Sequence, residues 1–200
     1  MWIGDAVRMR YAKMYISKFN GEGKGKALDV GCGEGFYKSI IEEANYEYVG
    51  FDPVPRAPFP TIKGFVEDLP FSDNEFNLVI AFDILEELIE EGPPLREIYR
   101  VLKPGGVLLL HTPNKNQTHI LVQPLDNPAH KKIGYAENEL MKLLCAFRDM
   151  KIMPSFGPLQ CVAWELAYCR VNNIPVDVNK LVDFDEEKYK NLGWLVVCKK

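Results

Sequence analysis

Three glycines at alternate positions, Gly31, Gly33 and Gly35, follow an acid, Asp29, and a short apolar run, Ala27 to Val30. Glycines in that spacing let backbone N–H groups approach a ligand closely, and the amphipathic stretch Phe36 to Asn45 behind them offers a helix N-terminus. A second acid, Asp52, closes the next apolar run about 20 residues further on, where a carboxylate can accept from both hydroxyls of a ribose. The spacing G-x-G-x-G falls short of the dinucleotide fingerprint G-x-G-x-x-G. Taken alone, the glycines therefore suit either a nucleotide-type ligand or a tight turn that holds nothing.

Other groups able to do chemistry are few. Of three histidines, His111 ends an apolar run, His119 sits in a polar stretch, and His130 follows Asn127-Pro128-Ala129. His130 is the best placed as a general base and His111 the second candidate, with pocket lining as its plainer role. The five cysteines show no CxxC pair and no metal-ligand spacing with the histidines, so no metal site is expected. Cys161 and Cys169 share a face of a predicted helix and read as core. The run Glu86, Glu87, Glu90, Glu91 reads as a solvated helix face, with attraction of a cationic substrate as a lesser alternative. Tyr135 and Trp164 are candidate substrate-wall aromatics for which core packing is the simpler reading.

These residues need a scaffold, and the hydrophobic periods supply one. Residues 4 to 19 suit an amphipathic helix. Strands are predicted at Ala27–Val30, Glu47–Phe51, Thr61–Val66, Phe76–Phe82, Val107–His111, Met150–Phe156 and Trp194–Cys198. Helices are predicted at 36–45, 95–102, 137–147 and 159–171. Pro53, Pro55, Pro58 and Pro60 exclude a regular crossover helix after the second strand and predict an extended or turn-rich connection. Lys103-Pro104-Gly105-Gly106 stops the helix before the fifth strand. Alternating strands and helices give an α/β, doubly wound, mostly parallel seven-stranded sheet. One domain is expected over residues 1–200, with 1–25 a helical cap and 113–135 and 157–192 elements on the substrate side.

Four segments, taken in order, resemble the successive motifs of class I S-adenosylmethionine-dependent methyltransferases, which have a Rossmann-like fold. They are LDVGCGEG (28–35), VGFDP (49–53), GFVEDLPFSDNEFNLVIA (64–81) and REIYRVLKPGGVLLLHTPN (96–114); their character is closest to the ubiquinone and menaquinone methyltransferases. The resemblance implies S-adenosylmethionine as cofactor. Asp29 and the Gly31–Gly35 turn, Cys32 and Gly33 included, would hold its methionine moiety. Asp52, followed by Pro53, would bind the ribose. Val66 and Glu67, with Asp68 beside them, would flank the adenine, and Ala81 and Phe82 would close over the methionine end. Two positions depart from the pattern. Phe65 stands where many relatives carry an acid that accepts from the adenine amino group, and Asp83-Ile84-Leu85-Glu86-Glu87-Leu88 stands where a histidine pair is frequent.

The expected activity is methyl transfer to a small-molecule acceptor. A net charge of −4 disfavours a nucleic-acid partner, although a protein or RNA acceptor stays as an alternative. A non-catalytic adenosylmethionine-binding subunit is another, and a nicotinamide-dependent oxidoreductase is disfavoured by the glycine spacing. With neither a leader pattern nor a membrane-length apolar run, the expected location is cytoplasmic.

Overall fold

The computed structural model describes residues 3–19, 25–117, 130–155, 158–176 and 192–200. The chain opens with α1 (Ile3–Ile16), which passes into a 3-10 turn at Ser17–Phe19. Ala12 and Ile16 of α1 are fully buried. The elements that follow are β1 (Gly25–Val30), α2 (Lys38–Glu43), β2 (Tyr46–Asp52), β3 (Ile62–Lys63), β4 (Phe76–Phe82) and α3 (Gly92–Val101). The remainder comprises β5 (Leu102–Pro113), α4 (Glu137–Leu143), β6 (Arg148–Pro154), α5 (Pro158–Val171) and β7 (Gly193–Lys199).

One seven-stranded sheet runs in the order β3-β2-β1-β4-β5-β7-β6. It is parallel from β3 to β5, and β7 enters antiparallel between β5 and β6. Side chains alternate between its faces as strand geometry requires. In β4, Val79 and Ala81 join the core with Leu95, Ile98 and Val101 of α3 and Leu140 of α4. Leu78, Ile80 and Phe82 face the other way, toward Ala12 and Ile16 of α1 and Ile40 and Ile41 of α2. With both faces covered, β4 must be apolar almost throughout, and only Asn77 in it is less than buried. The strand order turns back between β1 and β4, and the crevice beyond the carboxyl ends of strands at such a reversal is where α/β sheets bind ligands.

Several elements differ from the periodicity reading, among them α4, which ends at Leu143 where the chain turns rather than running on to 147. The third strand shrinks from six residues to Ile62–Lys63: β2 ends at Asp52, the partner of Lys63, so no neighbouring strand continues past it, and Phe65 is left 70% exposed. α2 is shorter than 36–45 because Gly35 to Tyr37 are spent in the turn that precedes it. β5 is longer than 107–111. Lys103 to Gly106 form a bulge, since Phe76 pairs with Leu102 and Leu78 with Val107, and the bulged backbone is tied down through Gly105 N–H to Lys200 O at 3.2 Å. The proline-rich segment 53–60 does contain only bends and extended chain. Among the described residues, no helix is long and apolar enough to cross a membrane.

Candidate functional site

At the end of β1 the backbone takes positive φ at Gly31 (71°), Gly33 (50°) and Gly35 (76°). Space forbids side chains there as firmly as the torsions do: a Cβ on Gly31 would lie 2.4 Å from the Ile84 side chain, and one on Gly35 only 2.1 Å from the Phe59 ring. The turn is fastened to the end of β2 by Gly31 N–H and Cys32 N–H, which donate to Phe51 O at 2.8 and 3.2 Å. Asp52 completes the fastening, accepting from Gly33 N–H at 2.8 Å and, on its other oxygen, from Val54 N–H at 2.7 Å. The turn and Asp52 are thus one unit. Both carboxylate oxygens keep lone pairs beyond these two bonds. Pro53 opens the segment that folds back over the turn, where Arg56 N–H donates to Gly33 O at 3.3 Å.

Beneath the turn lies Asp29, 2% exposed. Tyr48 Oη–H donates to its Oδ2 at 3.0 Å. Burial pushes the Asp29 pKa up to about 7, the Tyr48 hydrogen bond works against that, and the charge of Asp52 adds to it. Burial and the neighbouring Asp29 likewise push the Cys32 thiol up, so Cys32 packs as a neutral side chain. A cation arriving near Asp29 would shift it toward the carboxylate.

The 64–73 segment reaches the site from the side. Val66 is buried, while Glu67 and Asp68 are exposed. Its anchor is a pair the periodicity did not single out. Glu97 accepts from Leu69 N–H at 2.9 Å, and Arg100 donates to Leu69 O at 2.9 Å, Phe71 O at 2.7 Å, Asp73 at 2.8 Å and Glu97 at 2.7 Å. Both residues sit in the quoted motif REIYRVLKPGG, so the signal was present without its partner being readable.

Ala81 pairs with Val30 at the end of β4, and the Phe82 ring meets Tyr37 and His111 edge-on at centroid distances of 5.0 and 6.0 Å. Asp83 follows with φ 54°. Its Oδ1 lies 2.5 Å from His111 Nδ1 and its Oδ2 3.0 Å from an Arg8 guanidinium nitrogen. Burial pushes the Asp83 pKa up, but the charges of His111 and Arg8 outweigh it and hold the carboxyl at about 2. His111 Nε2 meets Ser155 Oγ at 2.9 Å. Both ring nitrogens of this 3% exposed histidine are therefore engaged. His130 is partly exposed and close enough for its charge to act on Asp83. His119 lies outside the described residues, as do the side chains of Cys161 and Trp164.

The acidic run is not a uniformly solvated helix face. Glu87 and Glu90 are exposed, but residues 85–87 form a 3-10 turn and Glu86 is fully buried. Thr112 Oγ1–H donates to Glu86 Oε2 at 3.0 Å. Burial, aided by the charge of Asp83, pushes the Glu86 pKa up to about 8. Glu91 pairs with Lys132 and accepts from Tyr135 Oη at 2.7 Å. Tyr135 is itself buried, its hydroxyl also 2.9 Å from Leu85 O. A cavity of about 530 Å³ lies between α4 and the 132–135 segment, lined by Lys115, Lys132, Lys142, Glu139 and Tyr135 among others and by none of the candidate cofactor residues. Among the described residues, no three His, Cys, Asp or Glu side chains are grouped to hold a metal ion.

Comparison with known proteins bears on this geometry. A family model described as a methyltransferase domain matches residues 6–157. A probable S-adenosylmethionine-dependent methyltransferase of Mycolicibacterium smegmatis is 33% identical over 97 residues, 44% of this chain and 38% of the relative. A demethylmenaquinone methyltransferase of Chlorobaculum parvum is 30% identical over 159 residues, 72% of this chain and 61% of the relative. The chain thus spans less than two thirds of the length of either. In fold it is similar to the crystal structure of a SAM-dependent methyltransferase from Archaeoglobus fulgidus, with a TM-score of 0.70 at 22% identity, covering 98% of this chain and 94% of that one.

Proposed function

The chain belongs to the class I S-adenosylmethionine-dependent methyltransferases, and on that premise we propose that it transfers the cofactor's methyl group to a small-molecule acceptor beyond the carboxyl ends of β1 and β4. The observation that carries the reading is the Asp52 clasp. A single carboxylate holds the glycine turn through Gly33 N–H while keeping lone pairs for two ribose hydroxyls.

The residues fit the cofactor. Positive φ at Gly31, Gly33 and Gly35 shapes the tight turn that carries Asp52's Gly33 partner. Asp29, buried beneath the turn, is an acid for which a nearby ammonium or sulfonium is the natural complement. Val66 and Glu67 take the adenine side, flanked by Asp68, and Ala81 and Phe82 the methionine side. When bound, the cofactor supplies a methyl group made electrophilic by a positively charged sulfur. The protein's own task is placement of the acceptor in line and exclusion of water. His130, partly exposed above Asp83, is the residue assigned to receive a proton where the acceptor carries one. His111, held by Asp83 and Ser155, keeps Asp83 and the end of β5 in position.

A small-molecule acceptor accords with the name of the Chlorobaculum parvum relative, and a net charge of −4 argues against an RNA acceptor. Calorimetric titration with S-adenosylhomocysteine, then with NAD, tests the proposal. Binding of the former alone is expected, and Asp52→Ala should weaken it by about 1–3 kcal/mol through ribose donors left unpaired. NAD binding without S-adenosylhomocysteine binding, or an unchanged affinity in Asp52→Ala, would overturn it. Labelled-methyl incorporation into a metabolite pool separates the enzyme from a non-catalytic binder.

A further inference from the structure

Among the buried polar side-chain atoms of the described residues, one has no hydrogen-bond partner: Glu86 Oε1. Buried carboxyl oxygens are ordinarily satisfied, and an orphan calls for a group that the protein itself does not supply. Its place is informative. Ile84, two residues earlier, packs against Gly31 of the glycine turn. Thr112, which holds the other oxygen, stands near the end of β5. Above, Lys131 and Lys132 N–H groups donate to the Glu86 carbonyl at 2.7 and 3.1 Å. The orphan therefore sits in the first turn after β4, between the cofactor turn and the end of β5.

We propose that Glu86 Oε1 holds the methyl acceptor by accepting a hydrogen bond from an O–H or N–H group that the acceptor carries. The inference rests on the methyltransferase reading and narrows its substrate class to acceptors with such a donor, as against carbon or thioether acceptors lacking one. Burial and the charge of Asp83 raise the Glu86 pKa to about 8 against the opposing Thr112 and backbone hydrogen bonds, so the protein's own donors leave its ionised form short of stabilisation. A donor brought by a ligand would supply that stabilisation. Thr112 fixes the carboxyl through Oε2, so that Oε1 is presented in one orientation.

The test uses the full chain loaded with S-adenosylhomocysteine and two matched probe pairs followed by ligand-observed NMR. The pairs are catechol against 1,2-dimethoxybenzene, and benzylamine against benzyltrimethylammonium. The wild type is expected to prefer the donor-bearing member of at least one pair by about tenfold, and the pair that responds tells hydroxyl from amine. Glu86→Leu should abolish the preference while leaving S-adenosylhomocysteine affinity unchanged. Glu87→Gln, which removes a neighbouring exposed acid, should keep it. If Glu86→Leu fails to fold, the wild-type Glu86 carboxyl carbon, labelled with ¹³C, should shift on adding the preferred probe. Equal binding within both pairs, no binding of either donor-bearing probe, a preference retained in Glu86→Leu, or an unmoved Glu86 resonance would each overturn the inference. Loss of S-adenosylhomocysteine binding by the wild type would overturn the cofactor reading instead.

Discussion

Replacing Asp29 by Asn should make the ligand-free protein more stable while making it a poorer cofactor binder. Asp29 is 2% exposed, and its pKa is raised from 3.8 to about 7, chiefly by burial. For an acid raised in the folded state, the sign is opposite to that of a salt-bridged carboxylate. Below pH 3.8 both states hold the proton and no penalty exists. Between 3.8 and 7 the unfolded chain ionises while the folded one cannot, so stability falls as pH rises, and above 7 the penalty is constant. Three units at 1.36 kcal/mol each make it about 4 kcal/mol. Asn keeps an oxygen for the Tyr48 hydroxyl and never ionises. Urea unfolding should therefore show Asp29→Asn gaining less than about 1 kcal/mol at pH 4 and about 4 kcal/mol at pH 8. Calorimetry at pH 8 should show weaker S-adenosylhomocysteine binding. A gain equal at both pH values would mean that burial does not perturb Asp29, and unchanged affinity would remove it from the cofactor site.

Gly35→Ala places a Cβ 2.1 Å from the Phe59 ring at a φ of 76°, so it should cost about 1–3 kcal/mol in urea unfolding and weaken S-adenosylhomocysteine binding. Wild-type behaviour in both assays would show that the turn relaxes freely. Arg100→Ala removes the donor to the Leu69 and Phe71 carbonyls. It should lower stability by about 1–3 kcal/mol and speed amide exchange at Leu69 and Phe71, whose N–H groups lie in the segment it holds. Exchange unchanged there would show that Glu97 suffices alone.

Much of the scaffold was legible because its signals are local. Phe76 to Phe82 reads as a doubly covered strand from its own residues, and Gly31, Gly33 and Gly35 announce a turn whatever follows. The prolines at 53, 55, 58 and 60 forbid a helix by their own torsions. What escaped depends on distant partners. Glu86 belongs to an acidic run, and nothing nearby in sequence tells that Thr112 and the 131–132 backbone enclose it while Glu87 stays in solvent. Arg8 reaches Asp83 across 75 positions, and Tyr48 reaches Asp29 across a strand pairing. Such contacts exist only once the sheet order is known. The third strand failed for a related reason: Thr61 to Val66 has strand-forming residues, but β2 ends at Asp52, the partner of Lys63, so no neighbouring strand continues past it.

The placement of β7 carries a consequence for how the molecule is made. β5 and β6 do not pair with each other; each pairs with β7. A nascent chain that has left the ribosome as far as Pro154 therefore has a long apolar strand edge on β5, with Leu108, Leu109 and Leu110 in it, and no neighbour to cover it. β6 has nothing at all to join. Only when Gly193 to Lys199 emerge can one strand zip in between and finish both seams together, a step that joins residues far apart in the chain and is correspondingly slow. Until then the exposed edge is a target for chaperones and for other copies of itself. Changes to the last strand should accordingly be felt in the yield of folded protein well before they are felt at the cofactor.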